Sequence, residues 1–353
     1  MSGATMSLHT RACDLFGVTY PIVQTGMGWV AGPRLAAATS AAGGLGILAA
    51  ATMTLPQLVD AIADTRRRTD RPFGVNLRPD QPDLAERVDA LVAGRVRVAS
   101  FAAAPPADAV KKLKDAGIVT IVTVGARRHA EKMTAAGVDA LIAQGHEGGG
   151  HTGAIPTSIL LPQVIDATDR PVLAAGGFVD GRGLVAALAW GAAGVAMGTR
   201  FLLTRESTVP QAVKDVYLRT DVNGTVVTRA VDGVPQRVIR TRLIDALEAR
   251  PARALLSAAR HAWSLRRATG TSLPALLREG LAMRRRGGLS LGQMAMAANA
   301  PMLTRASMVE GRVEVGILPT GQVVGVIEEL PTVAEVLEGI MQEAEATLAR
   351  LAA

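Results

Sequence analysis

At 353 residues the chain exceeds an ordinary single domain, so it is either two domains or one large α/β barrel with an addition. Hydrophobic residues at 49% and charged residues at 20% exclude a disordered chain or a coiled coil, and 3% aromatics with 37 glycines leave a core of Ala, Val, Leu and Ile. A formal charge of +7 favours anionic partners, whether nucleic acid, a phosphorylated cofactor or an acidic substrate.

Before the first strand lies the one cysteine, Cys13, which reads as a buried small hydrophobe rather than a nucleophile. It forms no internal disulfide, no early segment has the make-up of a secretion signal, and no apolar run reaches membrane-spanning length. A cytoplasmic protein is therefore expected. Eight β-rich runs follow, at residues 20–27, 44–50, 73–78, 96–102, 119–125, 140–145, 171–177 and 194–202. Amphipathic stretches at 55–68, 83–94, 107–117 and 127–137 read as helices between them, several closing on a glycine suited to a C-cap. Strand and helix alternating through eight units predict an α/β fold, a closed (β/α)8 TIM barrel.

Past residue 202 the rhythm breaks. Residues 206–308 read as mostly helical, rich in Arg and Ala, with an interruption at 222–233 where Asn223-Gly224 suggests a turn or hairpin. Residues 316–324 look like a loop or short strand returning to the barrel, and 332–351 like a closing helix. The expected organisation is a barrel from 15–205 and 312–353, with 206–311 as a helical insertion.

In such a barrel the chemistry sits at the C-terminal strand ends. There the sequence places Gln24-Thr25-Gly26-Met27-Gly28, Asn76, the loop from Gln144 through His146 and Gly148-Gly149-Gly150 to His151, Gly176-Gly177, and Gly198-Thr199. One Gly-Gly pair more often merely turns the chain. Two glycine sites on adjacent strands, backed by a helix start near Gly181, suit a phosphate instead. No dinucleotide or Walker A glycine motif is present, and His146 and His151, five apart around glycines, do not have the spacing of a helical metal site.

Residues 21–27, Gly148-Gly149-Gly150-His151-Thr152-Gly153, Ala174-Ala175-Gly176-Gly177 and residues 195–201 together resemble the nitronate monooxygenase (2-nitropropane dioxygenase) family of FMN-dependent barrels. The resemblance covers about residues 15–335 and is more specific for the cofactor than for the substrate. It implies FMN phosphate held by Gly176, Gly177, Gly198 and Thr199. It also implies the isoalloxazine ring along Thr25, Gly26 and Met27, further contacts from Asn76, Gln144, Gly149 and Gly150, and His151 as the catalytic histidine. The chemistry is consistent with this. Side-chain amides such as Asn76 and Gln144 hydrogen-bond a flavin without adding charge, and a histidine exchanges a proton near neutral pH while hydride moves at flavin N5. His146 lacks the family match and either shares in the chemistry or only lines the pocket.

Two departures, Thr25-Gly26-Met27 where relatives carry Ala-Pro-Met and Gly148-Gly149-Gly150-His151 where they carry Ala-Gly-Gly-His, imply room for a substrate bulkier than a nitroalkane anion. Residues 24–32 and 224–240 are most similar to an actinobacterial branch, the NADH-linked flavin oxidoreductases of steroid C/D-ring catabolism that act on coenzyme A thioesters. The expected function is thus FMN-dependent oxidoreduction of an acyl-CoA with NADH or NADPH, 206–311 serving as substrate or lid region. One alternative is a nitronate monooxygenase using O2. Another is a catalytically silent anion- or nucleic-acid-binding barrel, although no nucleic acid or membrane partner is expected. Arg253, Arg260, Arg266, Arg267, Arg278 and Arg284-Arg285-Arg286 form either a solvated face or a grip on coenzyme A phosphates. Assembly into a homo-oligomer is left open.

Overall fold

The computed structural model describes residues 8–249 and 291–353. Eight parallel strands close into a barrel: β1 (Ile22–Gln24), β2 (Leu45–Ala49), β3 (Phe73–Leu77), β4 (Val98–Phe101), β5 (Val119–Val124), β6 (Ala140–Gln144), β8 (Val172–Ala175) and β9 (Gly194–Met197), with β9 pairing back onto β1. The expected TIM barrel is present. Its strands are shorter than the sequence runs, because the polar and glycine residues that end each run form the rim instead. The eighth run stops at Met197, and Thr199–Leu202 is already a short helix.

Nearly every strand residue is buried, as parallel strands covered on both faces require. Residues two apart, such as Leu45 and Ile47, Val119 and Ile121, or Leu173 and Ala175, point into the barrel, and small side chains at Ala140, Ala175 and Ala196 let the strands close it without an inward aromatic of their own. The alternate residues pack outward under amphipathic helices such as Leu55–Arg68, which opens with Thr54 and Gln57 in a capping box. The barrel floor is closed by helix Arg11–Phe16, whose Ala12 and Phe16 join the interior cluster while Arg97 donates to Leu15 O at 2.6 Å. Cys13, on this helix, is buried.

At the opposite end, β7 (Gly150–His151), β10 (Thr225–Thr228) and β11 (Gln236–Ile239) form a small antiparallel sheet in the order β10, β11, β7. The 206–311 region is therefore not simply helical. Its β10–β11 hairpin turns at residues 229–235, and Asn223-Gly224 precede the hairpin rather than forming its turn. A satellite core of Val231, Val238, Ile244, Leu247, Ala300 and Ile317 supports it. Residues 319–326 then return across the barrel, with Tyr217 Oη donating to Pro319 O at 2.8 Å from a fully buried ring whose pKa burial raises. Helix Val333–Ala352, opened by the Thr332–Glu335 capping box, packs against helix Gly181–Ala189 and completes the shell. Among the described residues no helix is long and apolar enough to cross a membrane.

Candidate active site

Strand β1 ends against β9: the Thr25 N–H and Oγ1–H both donate to Met197 O, at 3.1 and 3.3 Å. A methyl group on Gly26 would lie 2.4 Å from Asn76 Cβ, and one on Gly198 would lie 3.3 Å from Met27 Sδ and 3.4 Å from Thr25 Oγ1. Thr25, Gly26, Met27, Asn76 and Gly198 thus make one wall of the barrel mouth. Asn76 Nδ2 reaches Ser100 O and Oγ only at 3.4 Å, the outer edge of hydrogen bonding.

The loop after β6 folds back on itself. Gln144 Nε2 donates to His151 O at 2.7 Å, and Thr152 Oγ1 donates to Gly145 O and His146 O at 3.1 and 3.2 Å. His146 Nδ1 lies 2.7 Å from Gly153 O; a carbonyl only accepts, so Nδ1 carries the proton and Nε2 keeps the lone pair. The Glu147 carboxylate accepts from Thr157 N–H and Oγ1–H at 3.0 and 2.8 Å and caps helix Thr157–Ile165. Gly149 sits against the returning segment, where a methyl group would lie 2.4 Å from Gly321 N. Gly150 pairs with Arg237 in the small sheet.

His151 lies on β7 opposite Gln236, and its Nε2 is 2.6 Å from Asp232 Oδ2. Asp232 Oδ1 in turn accepts from Val234 N–H at 3.0 Å. The side chains are 62% and 12% exposed, so the imidazole is open and the carboxylate covered. Burial pulls the Asp232 pKa up, but the hydrogen bond and charge of His151, with Val234 N–H and the Gln236 side chain, outweigh it and hold the carboxyl below its ordinary range. Beside them the buried Arg237 donates to Thr225 Oγ1 at 2.9 Å and to His146 O at 3.2 Å, while its Nε has no partner among the described residues. Burial pulls its pKa down against the attraction of Glu147.

The turn after β8 carries Gly176 and Gly177 at φ +89° and +92°, a left-handed pair that side-chain-bearing residues adopt only with strain. A methyl group on Gly177 would meet nothing nearer than Glu147 Cβ at 3.8 Å, so this backbone borders open space. At the helix start near Gly181, which the sequence offers as backing for a phosphate, donors are already engaged. Asp180 Oδ1 accepts from Gly183 N–H and Glu343 Oε2 from Gly181 N–H, both at 2.8 Å, so two carboxylates already occupy it. Helix Thr199–Leu202 differs: Gly198 provides no side-chain cap, no acidic residue enters its first turn, and its leading N–H groups lack intrahelical acceptors. The Thr199 hydroxyl oxygen accepts from Gly321 N–H at 2.9 Å and lies 3.3 Å from Thr320 Oγ1.

The structure thus brings Thr25, Gly26, Met27, Asn76 and Gly198 together, ties Gln144 to His151, and links Thr199 through Gly321 to Gly149. It does not bond His146 to any other candidate. The arginines from Arg253 to Arg286 singled out in the sequence lie outside the described residues. Asp232, Gln236, Arg237 and Gly321 were missed. For the first of these a signal existed, since Asp-Gly between β-branched runs is a hairpin mark.

A family model described as nitronate monooxygenase matches residues 9–93 and 84–343. The chain is 54% identical over 339 residues to the (3aS,4S,5R,7aS)-5-hydroxy-7a-methyl-1-oxo-octahydro-1H-indene-4-carboxyl-CoA dehydrogenase of Rhodococcus jostii (strain RHA1), covering 96% of each chain. It is 53% identical to the protein of the same name in Mycobacterium tuberculosis, over 96% of this chain and 97% of that one. Among solved structures, FabK from Thermotoga maritima superposes with a TM-score of 0.80 at 34% identity, covering 97% of this chain and 98% of its own.

Proposed function

The chain belongs to the nitronate monooxygenase family of flavin-dependent oxidoreductases, and from that membership we propose that it is an FMN-dependent, nicotinamide-linked enzyme acting on an acyl-CoA thioester of steroid ring degradation. The observation that carries this reading is the similarity, across nearly the whole of both chains, to two proteins named as dehydrogenases of an indene-carboxyl-CoA. Residues 15–205 and 312–353 would hold the cofactor and 206–311 the substrate, in a cytoplasmic enzyme.

The residues present fit FMN. Gly177 offers a backbone that a side chain would strain, and the uncapped start of helix Thr199–Leu202 offers free donors on the neighbouring strand, which together suit a dianionic phosphate. The wall of Thr25, Gly26 and Met27 would flank the ring, and Asn76 and Gln144 would supply uncharged hydrogen bonds. When bound, FMN supplies the hydride acceptor or donor.

A thioester suits such a site because its carbonyl acidifies the adjacent C–H. Oxidation then removes a proton from that carbon and hydride from the next one, forming a C=C bond, and reduction is the reverse. His151 is the residue proposed to exchange the proton, through Nδ1, since Nε2–H is held by Asp232. In the oxidative direction NAD+ or NADP+ would take up the hydride, and in the reductive direction NADH or NADPH would supply it.

Anaerobic mixing of the yellow holoenzyme with NADH and, separately, NADPH tests the reading. Rapid loss of the flavin's visible absorbance, and NADH formation when the indene-carboxyl-CoA and NAD+ are supplied, are expected. Bleaching only by alkyl nitronates, with turnover tied to O2, would overturn it in favour of a nitronate monooxygenase.

A further inference from the structure

The hairpin of the 206–311 region reaches the histidine by more than one contact. β11 pairs with β7 through Gln236↔His151 and Arg237↔Gly150, and Thr152 N–H donates to Pro235 O at 3.0 Å, so the His151 backbone is fixed by the same turn that carries Asp232. Within that turn Asp232 is held in place: Val234 N–H binds Oδ1, which leaves Oδ2 for His151 Nε2. The carboxylate is covered and the imidazole open, the arrangement in which a fixed anion orients a ring without competing with it for solvent or substrate.

Resting on the reading of His151 as the proton-transfer residue, we propose that Asp232 is its positioning residue. It fixes the Nε2–H tautomer and aims Nδ1 at the substrate, so the hairpin is part of the catalytic apparatus rather than a passive cover. A carboxylate accepts and never donates when ionised, so Nε2 must carry the hydrogen and Nδ1 must present the lone pair. The other charged groups near this corner are Arg237, bonded to His146 O, Glu147, engaged by Thr157, and Arg229, whose guanidinium donates to Gly233 O at 3.3 Å. Each has its own backbone or side-chain partner, and Asp232 is the charged group hydrogen-bonded to the ring.

Asp232→Asn tests this in the holoenzyme, because the amide keeps an acceptor for Val234 N–H while removing the charge. FMN content and the rate of flavin reduction by NADH should match the parent. Turnover of the indene-carboxyl-CoA should fall roughly 10- to 100-fold, in kcat more than in KM, as when the partner that orients a functional histidine is removed. If Asp232→Asn fails to fold, Asp232→Ser, which still accepts from Val234 N–H, replaces it. His151→Ala separates the two levels of the argument. Normal turnover in His151→Ala removes the proton-transfer reading itself. An impaired His151→Ala beside an Asp232→Asn with parental kcat overturns the role of Asp232 alone.

Discussion

The connections leaving β8 and β9 begin alike and finish differently. Each runs from a buried strand through glycine into a helix, Gly176-Gly177 before Gly181–Ala189 and Gly198 before Thr199–Leu202. At the first helix, Asp180 and Glu343 accept from the leading N–H groups, and Arg182 bridges the two carboxylates at 2.5 and 3.1 Å. At the second, no side chain caps the turn. Bare donors attract a dianion, whereas carboxylates already seated on the donors repel one. Glycine spacing alone therefore does not locate an anion; the identity of the capping residue decides. The proposed phosphate cradle draws on the Gly177 backbone and the Thr199 helix start, without the helix that follows β8.

The largest effect should come from adding a carboxylate to the open glycine turn that leaves β8, ahead of the capped helix. Gly177→Asp puts a carboxylate and a strained φ of +92° beside the proposed phosphate, and FMN affinity should fall roughly 100-fold or more. Circular dichroism should show an intact barrel, since the position borders open space. Stoichiometric flavin in a folded Gly177→Asp would end the phosphate assignment. Next in size is His151→Ala, expected to keep its flavin and lose turnover by roughly 10²–10⁴-fold. Those two variants separate holding the cofactor from exchanging the proton. Near-normal turnover would move the search to His146, whose bond to Gly153 O uses Nδ1 and leaves Nε2 outside it.

The barrel was legible because parallel strands buried on both faces leave continuous apolar runs, and Leu45–Ala49 or Val172–Ala175 cannot be mistaken for surface. The rim residues were legible as chemical types, being polar or glycine where apolar runs stop. Their partners were not. Asp232 is 81 positions from His151 in the chain, and Gly321 is 122 from Thr199, so only closure of the fold shows that they meet. The Gly181 helix start misled for the same reason, because Glu343 arrives from the C-terminal helix 162 residues away. Local pattern reveals which residues could bind an anion, and long-range contacts decide which donors remain free.

The smallest expected effect bears on the capped side of the comparison. Asp180→Ala removes the acceptor for Gly183 N–H and one partner of Arg182, and losing an N-cap of this kind costs about 1 kcal/mol. In a protein of this size that is a Tm lower by about 2 °C, measurable by scanning calorimetry. Glu343→Gln should cost less, because an amide oxygen still accepts from Gly181 N–H. Neither change should alter FMN affinity if the Gly181 helix start serves only the shell that helix Val333–Ala352 packs against. Tighter FMN binding in Asp180→Ala would mean that these carboxylates oppose the phosphate through space. Both turns would then belong to one anion field, and the distinction between the capped and the bare connection would fail.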